Sequence, residues 1–153
     1  DLYSDEPPVE TELHLEQIMI LIKSLKWLWK ERTDFYAVGN LSIYYSPQQK
    51  KSEDVRGPDF FVVLGTEKKT RKSWVVWDEN GKYPNVIVEV ISPTTAKTDR
   101  GLKKELYQNT FRTHGYLGSH THQVQIVRTL FQALKSKSLV SPNRPFLLSC
   151  DTP

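Results

Sequence analysis

Val86-Ile87-Val88-Glu89-Val90-Ile91 is an apolar run interrupted by one carboxylate. A continuous Val/Ile stretch of this length reads as a strand buried on both faces, the kind found at the centre of an α/β sheet. An ionised Glu inside such a strand costs several kcal/mol, as an order of magnitude, unless a cation meets it. The cation can be a metal ion, a lysine or an arginine, and the first two point to catalysis. Upstream, Gly57-Pro58-Asp59 leads directly into Phe60-Phe61-Val62-Val63-Leu64. An Asp at the mouth of one apolar strand and a Glu inside another is what a two-carboxylate metal site needs.

Working outward, Ile18, Leu21, Ile22, Leu25, Leu28 and Trp29 recur at helical spacing. They predict an amphipathic helix from about Val9 to Arg32, begun after Pro7-Pro8. A strand is expected over Phe35 to Tyr45, bent at Gly39-Asn40, followed by a polar loop from Ser46 to Gly57. Asp59 to Leu64 reads as the next strand. Gly65 to Lys72 is a charged turn, and Ser73 to Trp77 is expected to fold back as the hairpin partner of that strand. Asp78-Glu79-Asn80-Gly81 makes another turn ahead of Val86 to Ile91. Ser92-Pro93-Thr94-Thr95 then caps a second helix from about Ala96 to Phe111. Helix, strand meander, buried strand, helix: the order predicts an α/β fold with a mixed sheet flanked by helices.

At 153 residues the chain is one domain's worth, with ordinary apolar and charged content. Its longest apolar runs are far short of the ~20 residues that span a bilayer, so no membrane association is expected. Neither a basic segment nor an apolar stretch opens the sequence, and there is a single cysteine, Cys150. The expected setting is therefore the cytoplasm, without a disulfide framework. Residues 1–95 carry 12 basic and 15 acidic groups (12 − 15 = −3), and residues 96–153 carry 9 and 3 (9 − 3 = +6). A basic second half suits phosphate contacts, and it equally suits an acid-poor tail.

Neighbouring strands place Asp59 and Glu89 at one end of the sheet. Together they suit Mg²⁺ or Mn²⁺, with the Val90 carbonyl as a third ligand. A lysine is wanted near an attacking water, and Lys103 is the candidate. Asp99, Lys103 and Tyr107 fall at i, i+4 and i+8 on one helical face. His14 borders the site or is a surface histidine, and Glu12 is a further candidate carboxylate from the first helix. Lys68-Lys69-Thr70-Arg71-Lys72 either grips nucleic-acid phosphates or is a solvated turn. Each element has a plainer reading: Pro58-Asp59 a strand-entry turn, Glu89 an internal ion pair, Lys103 a solvated helix lysine. Trp27, Trp29, Trp74 and Trp77 are expected in the core or at an interface.

Pro58-Asp59, Glu89-Val90-Ile91-Ser92-Pro93 and the Asp99-x-x-x-Lys103-x-x-x-Tyr107 pattern, in this order, resemble the PD-(D/E)xK nuclease superfamily. More narrowly, they resemble a bacterial family of restriction-endonuclease-like proteins long labelled a domain of unknown function. The resemblance covers roughly Glu12 to Phe111. It implies a restriction-endonuclease-like fold and metal-dependent hydrolysis of nucleic-acid phosphodiesters, DNA foremost. Asp59 and Glu89 would be the ligands, with Lys103 acting on the water and Asp99 and Tyr107 positioning it. Such enzymes commonly act as dimers when two strands are cut, which raises a homodimer. Two departures stand out. Ile91 occupies the position where the superfamily pattern has its lysine, and Lys103 is the substitute from the next helix. From Thr113 to Cys150 there is no Asp or Glu, and the family's aromatic, Asp-Pro-containing strand is missing. The expected division is thus a nuclease-like core over 1–112 and an atypical segment over 113–153, read in a shifted frame or poorly ordered. The alternative function is a catalytically inactive remnant of the fold that binds nucleic acid or a partner.

Overall fold

A computed structural model describes residues 12–46, 55–90, 105–111, 115–119 and 146–149, the last two segments, Tyr107 and Gln108 as backbone only. Helix α1 spans Glu12–Leu28. Strands β1 (Phe35–Gly39), β2 (Ile43–Tyr44), β3 (Val55–Arg56), β4 (Phe60–Leu64), β5 (Trp74–Val75) and β6 (Val86–Val90) follow. A single π-helical turn, Leu106–Thr110, precedes β7 (Gly115–Ser119) and β8 (Phe146–Ser149). The larger sheet has the order β1-β4-β6-β7-β8, and the smaller β3-β2-β5.

The larger sheet is mixed. β4 pairs antiparallel with β1 and with β6, whereas β6, β7 and β8 run parallel. Parallel neighbours need a crossover connection, and the segment between β6 and β7, which ends in the π-helical turn, supplies it. The central strands are buried on both faces, and their successive residues alternate between two clusters. Phe60, Val62, Val86 and Val88 pack with Leu21 and Leu25 of α1 on one face. On the other, Phe61, Val63 and Ile87 pack with Tyr36, Ile43, Trp74 and Phe111. The α/β class with a mixed sheet is the one read from the sequence.

Gly39 fits α1 to the sheet. A Cβ there would overlap Ile18 Cγ2 and lie 3.3 Å from Ile22 Cδ1, so the absent side chain is what lets the helix sit this close. Next to it, Asn40 has φ 51° and turns the chain out of β1. The single bent strand expected over 35–45 therefore becomes two, and β2 belongs to the smaller sheet.

The expected hairpin between β4 and 73–77 does not form. β4 is flanked on both edges, by β1 and β6, so no edge is free for a third partner. Trp74–Val75 instead pairs in parallel with Ile43–Tyr44 of β2. This lays the fully buried Trp74 ring over Tyr36, stacked at 5.7 Å between centroids, and its Nε1–H donates to the Lys82 carbonyl at 2.8 Å. The polar loop expected through Gly57 also yields β3. α1 ends at Leu28, four residues short of the expected Arg32. Of the tryptophans placed in a core or interface, Trp74 is buried, while Trp27 is 76% exposed.

The start of the second helix, Ala96 to Lys104, lies outside the described residues. Its end, Leu106–Thr110, is π-helical, with the Phe111 N–H donating to the Leu106 carbonyl at 3.1 Å. Phe111 is buried between Tyr45 and Tyr83, each 5.0 Å away by ring centroid. The boundary at residue 112 falls outside the described residues. Beyond it, backbone strands β7 and β8 extend the sheet. Among the described residues no helix is long and apolar enough to cross a membrane.

Candidate active site

β4 and β6 are in a register that pairs Phe60 with Val88, Phe61 with Ile87 and Val62 with Val86. Asp59 immediately precedes β4 and Glu89 follows Val88 in β6, so the thirty-residue gap in sequence closes at one end of the sheet.

Each carboxylate is held differently. Asp59 lies where β4 begins and is fastened at both oxygens. Oδ2 accepts the Val90 N–H at 2.6 Å, and Oδ1 lies 3.1 Å from His14 Nε2 on α1. The Asp59 carbonyl accepts the Asn40 N–H at 3.0 Å, tying the same residue to the end of β1. Its side chain is 18% exposed, and that of His14 23%. Glu89 is 6% exposed within β6. The alternation of β6 puts it on the side of Ile87, the face that Leu106 and Phe111 also cover. The helix expected to carry Lys103 therefore ends over the face that bears Glu89. Lys103 and Asp99 lie outside the described residues, and Tyr107 is described in its backbone alone. Val90 meets Asp59 through its N–H.

His14 is the residue of α1 that reaches the site. Glu12 is exposed, and at 3.6 residues per turn it sits about 200° around the helix from His14. Sequence reading overlooked Gln17. It lies one turn beyond His14, is 7% exposed, and its Oε1 has no hydrogen-bond partner. A buried acceptor left unpaired costs about 1–3 kcal/mol, so its retention needs an explanation. The available signal was its place: a Gln on the sheet-facing side of the helix, between His14 and Leu21.

The charged turn divides in two. Arg71 is spent on the fold: its side chain is 5% exposed and pairs bidentately with Glu79 at 2.5 and 3.1 Å. The same guanidinium lies over the rings of Tyr36 and Trp74, at 4.6 and 4.9 Å. Lys68, Lys69 and Lys72 are exposed.

The donor set suits a hard divalent cation. Mg²⁺ is commonly bound by one or two carboxylates and keeps several waters, and two carboxylates at one end of the sheet are of the kind that meets that need. Among the described residues no group of three or more His, Cys, Asp or Glu is placed to hold a metal. Any protein ligand beyond the carboxylate pair would be a backbone oxygen or come from outside those residues.

A crystal structure of "a putative nuclease belonging to DUF820" from Anabaena variabilis is similar to this chain with a TM-score of 0.48 and 15% sequence identity. The likeness covers 71% of this chain and 57% of that one, so the chain spans little more than half the length of that nuclease. No curated protein matches. The family described as "Putative restriction endonuclease", Uma2, matches residues 3–143. That match takes in the helix bearing His14, both carboxylates and residues 113–143 of the segment beyond residue 112, and the chain belongs to this family.

Proposed function

We propose that the protein is a metal-dependent nuclease that hydrolyses phosphodiester bonds of nucleic acid, DNA foremost, in the cytoplasm. The observation that carries the proposal is the meeting of Asp59 and Glu89 at one end of the sheet, where Asp59 accepts the N–H of Val90, the residue after the buried Glu89. Family membership adds to it. In this reading Asp59 and Glu89 hold Mg²⁺ or Mn²⁺, and the Val90 carbonyl is a further ligand. When bound, the ion lowers the pKa of a water and offsets charge on the phosphoryl oxygens.

The chain's own residues set the stage for that chemistry. The Val90 N–H and His14 fix the plane of the Asp59 carboxylate, so the group need not reorganise on binding a cation. Burial of Glu89 excludes competing water from its oxygens and strengthens their attraction for positive charge. Lys103 is assigned the role of orienting the attacking water, with Asp99 and Tyr107 positioning it. Support for that comes from the helix end at Leu106–Phe111, which covers the face bearing Glu89. A homodimer would bring two such centres to opposite strands.

Nicking of supercoiled plasmid in Mg²⁺ or Mn²⁺, compared between the wild type and Glu89→Gln, tests the proposal. Metal-dependent nicking by the wild type should fall at least about 100-fold in the variant, since the ion's contribution is several kcal/mol and each ~1.4 kcal/mol is tenfold in rate. Binding of DNA by a folded wild type that never nicks it would instead identify an inactive remnant of the fold.

A further inference from the structure

We propose that the outer edge of β1 forms a phosphate-binding cavity that holds the nucleic-acid backbone on the side of the sheet's edge away from the carboxylate pair, toward the Leu64 end of β4. Lys26, Lys68 and Lys69 are its cations. The inference rests on the nuclease reading above and adds to it the surface that receives the substrate.

Among the described residues β1 is an outer strand of the larger sheet, paired only with β4. Two backbone bonds fix which of its groups are used: Gly65 N–H to the Asp34 carbonyl at 2.7 Å, and Asn40 N–H to the Asp59 carbonyl at 3.0 Å. Antiparallel alternation then makes 34, 36, 38 and 40 the bonded positions. It turns the N–H and C=O groups of Phe35 and Ala37 toward the free edge. A cavity of about 350 Å³ lies against this edge, within the ~300–1,000 Å³ typical of ligand sites. It is lined by both Phe35 and Tyr36, which belong to opposite faces of the sheet, so it straddles the edge.

Three of its lining residues are lysines and none is acidic. Lys26 comes from the last turn of α1. Lys68 and Lys69 come from the turn after β4, which Arg71 shapes by donating to the Glu67 and Lys69 carbonyls at 3.0 and 3.2 Å. Lys68 Nζ lies 5.3 Å from the centre of the Phe35 ring, over the strand edge. Lys69 has a competing partner, Glu67, at 3.3 Å, but their side chains are 53% and 73% exposed. Such surface pairs contribute about 0–1 kcal/mol, little enough for a phosphate to displace. Thr70 adds a hydroxyl to the lining.

Position favours a polynucleotide over an isolated anion. From Tyr36 to Gly39, which pairs with Phe60 next to Asp59, is three residues, or about 10 Å along a strand. A polynucleotide with one phosphate beside Asp59 would thus bring another, within a few nucleotides, to the cavity. The competing account is that these lysines guard an exposed edge against pairing with another chain.

The test is fluorescence anisotropy of a labelled DNA duplex, titrated with the 153-residue chain in EDTA over a range of NaCl. The wild type is compared with the triple variant Lys26→Gln, Lys68→Gln, Lys69→Gln, and with Lys23→Gln, Lys30→Gln, two exposed lysines that do not line the cavity. Each phosphate contact contributes about 0.9 to the slope of log K against log salt. The triple variant should lower that slope by about 2 to 3 and weaken binding at least tenfold, with the double variant unchanged. An unchanged slope in a triple variant with native circular dichroism overturns the proposal. So does self-association of that variant with unaltered DNA binding, which would assign the lysines to edge protection. Inorganic phosphate that raises the Tm of the wild type but not of the triple variant, with equal DNA binding by both, identifies a free-anion site and also overturns it. Plasmid nicking by a wild type whose slope the lysines do not affect sinks this inference alone. Absence of any DNA binding by the wild type removes the nuclease reading with it.

Discussion

Asp59 is the best-anchored group of the candidate site, and its two fastenings have separable effects. Replacing it with Ala removes the acceptor of a charge-assisted bond from Val90 N–H, worth about 1.5–3 kcal/mol. Denaturant unfolding should register that loss. Asp59→Asn, which keeps one acceptor oxygen, should lose much less stability while reducing cation affinity. Gln17 is expected to behave in the opposite sense. Gln17→Leu replaces an unpaired buried acceptor with an apolar group of similar size. It should stabilise the fold by about 1 kcal/mol, measured as a higher denaturant midpoint at unchanged m-value; a destabilised variant would show that the amide has a partner worth keeping. Both residues also mark how far single positions were legible. Glu89 announced itself as a charge in an apolar run. Gln17 did not, because a polar residue in an amphipathic helix gives no sign of whether it faces water. Arg71 was read with its lysine neighbours as a phosphate contact, yet its partner, Glu79, lies eight residues on, across a turn whose path sequence does not disclose.

Between elements, fit is set by small residues and by which strand edges remain available. Gly39→Ala would press a methyl into Ile18, one turn along α1 from His14. The helix must shift or the side chain rotate, at a cost of about 1–3 kcal/mol. We expect a lower Tm and a weakened His14–Asp59 contact, visible as an altered His14 resonance by NMR. Arg71→Ala would leave the Glu79 carboxylate, 17% exposed, without its guanidinium and strip the cation from Tyr36 and Trp74. A loss of about 3 kcal/mol is expected in denaturant unfolding, and Arg71→Lys should recover only part of it, since an ammonium cannot reproduce the fork. Helix α1, β4 and β6 were legible from periodicity and continuous burial. The pairing of β5 was not, because local alternation identifies a strand without revealing which neighbours have free edges. Asn40 was visible as a bend, but whether that bend stays within one sheet or divides two depends on what packs beyond it.

For the whole molecule, the second core ties stability to pH at the alkaline end. Burial raises the Tyr36 phenol above its ordinary pKa of 10.0, and the nearby Arg71 charge opposes the shift only in part. The folded state then keeps a proton that the unfolded state releases. Stability is unaffected by this group below about pH 10 and falls as pH rises above it. Tyr36→Phe should flatten that fall in a pH series of thermal melts. At this scale the family and the α/β class could be read from a few residues in order, since the apolar strands and the acidic residues among them stand out from their surroundings. The smaller sheet and the cavity along β1 could not, because both arise where segments distant in sequence meet. The central claim is that Asp59 and Glu89 act as one acidic centre, and a calorimetric Mn²⁺ titration of the wild type, Asp59→Asn, Glu89→Gln and the double variant tests it most directly. One shared site predicts that either substitution weakens binding at least tenfold and that the double variant adds little beyond the stronger single effect. Unchanged Mn²⁺ binding in either folded single variant would contradict it.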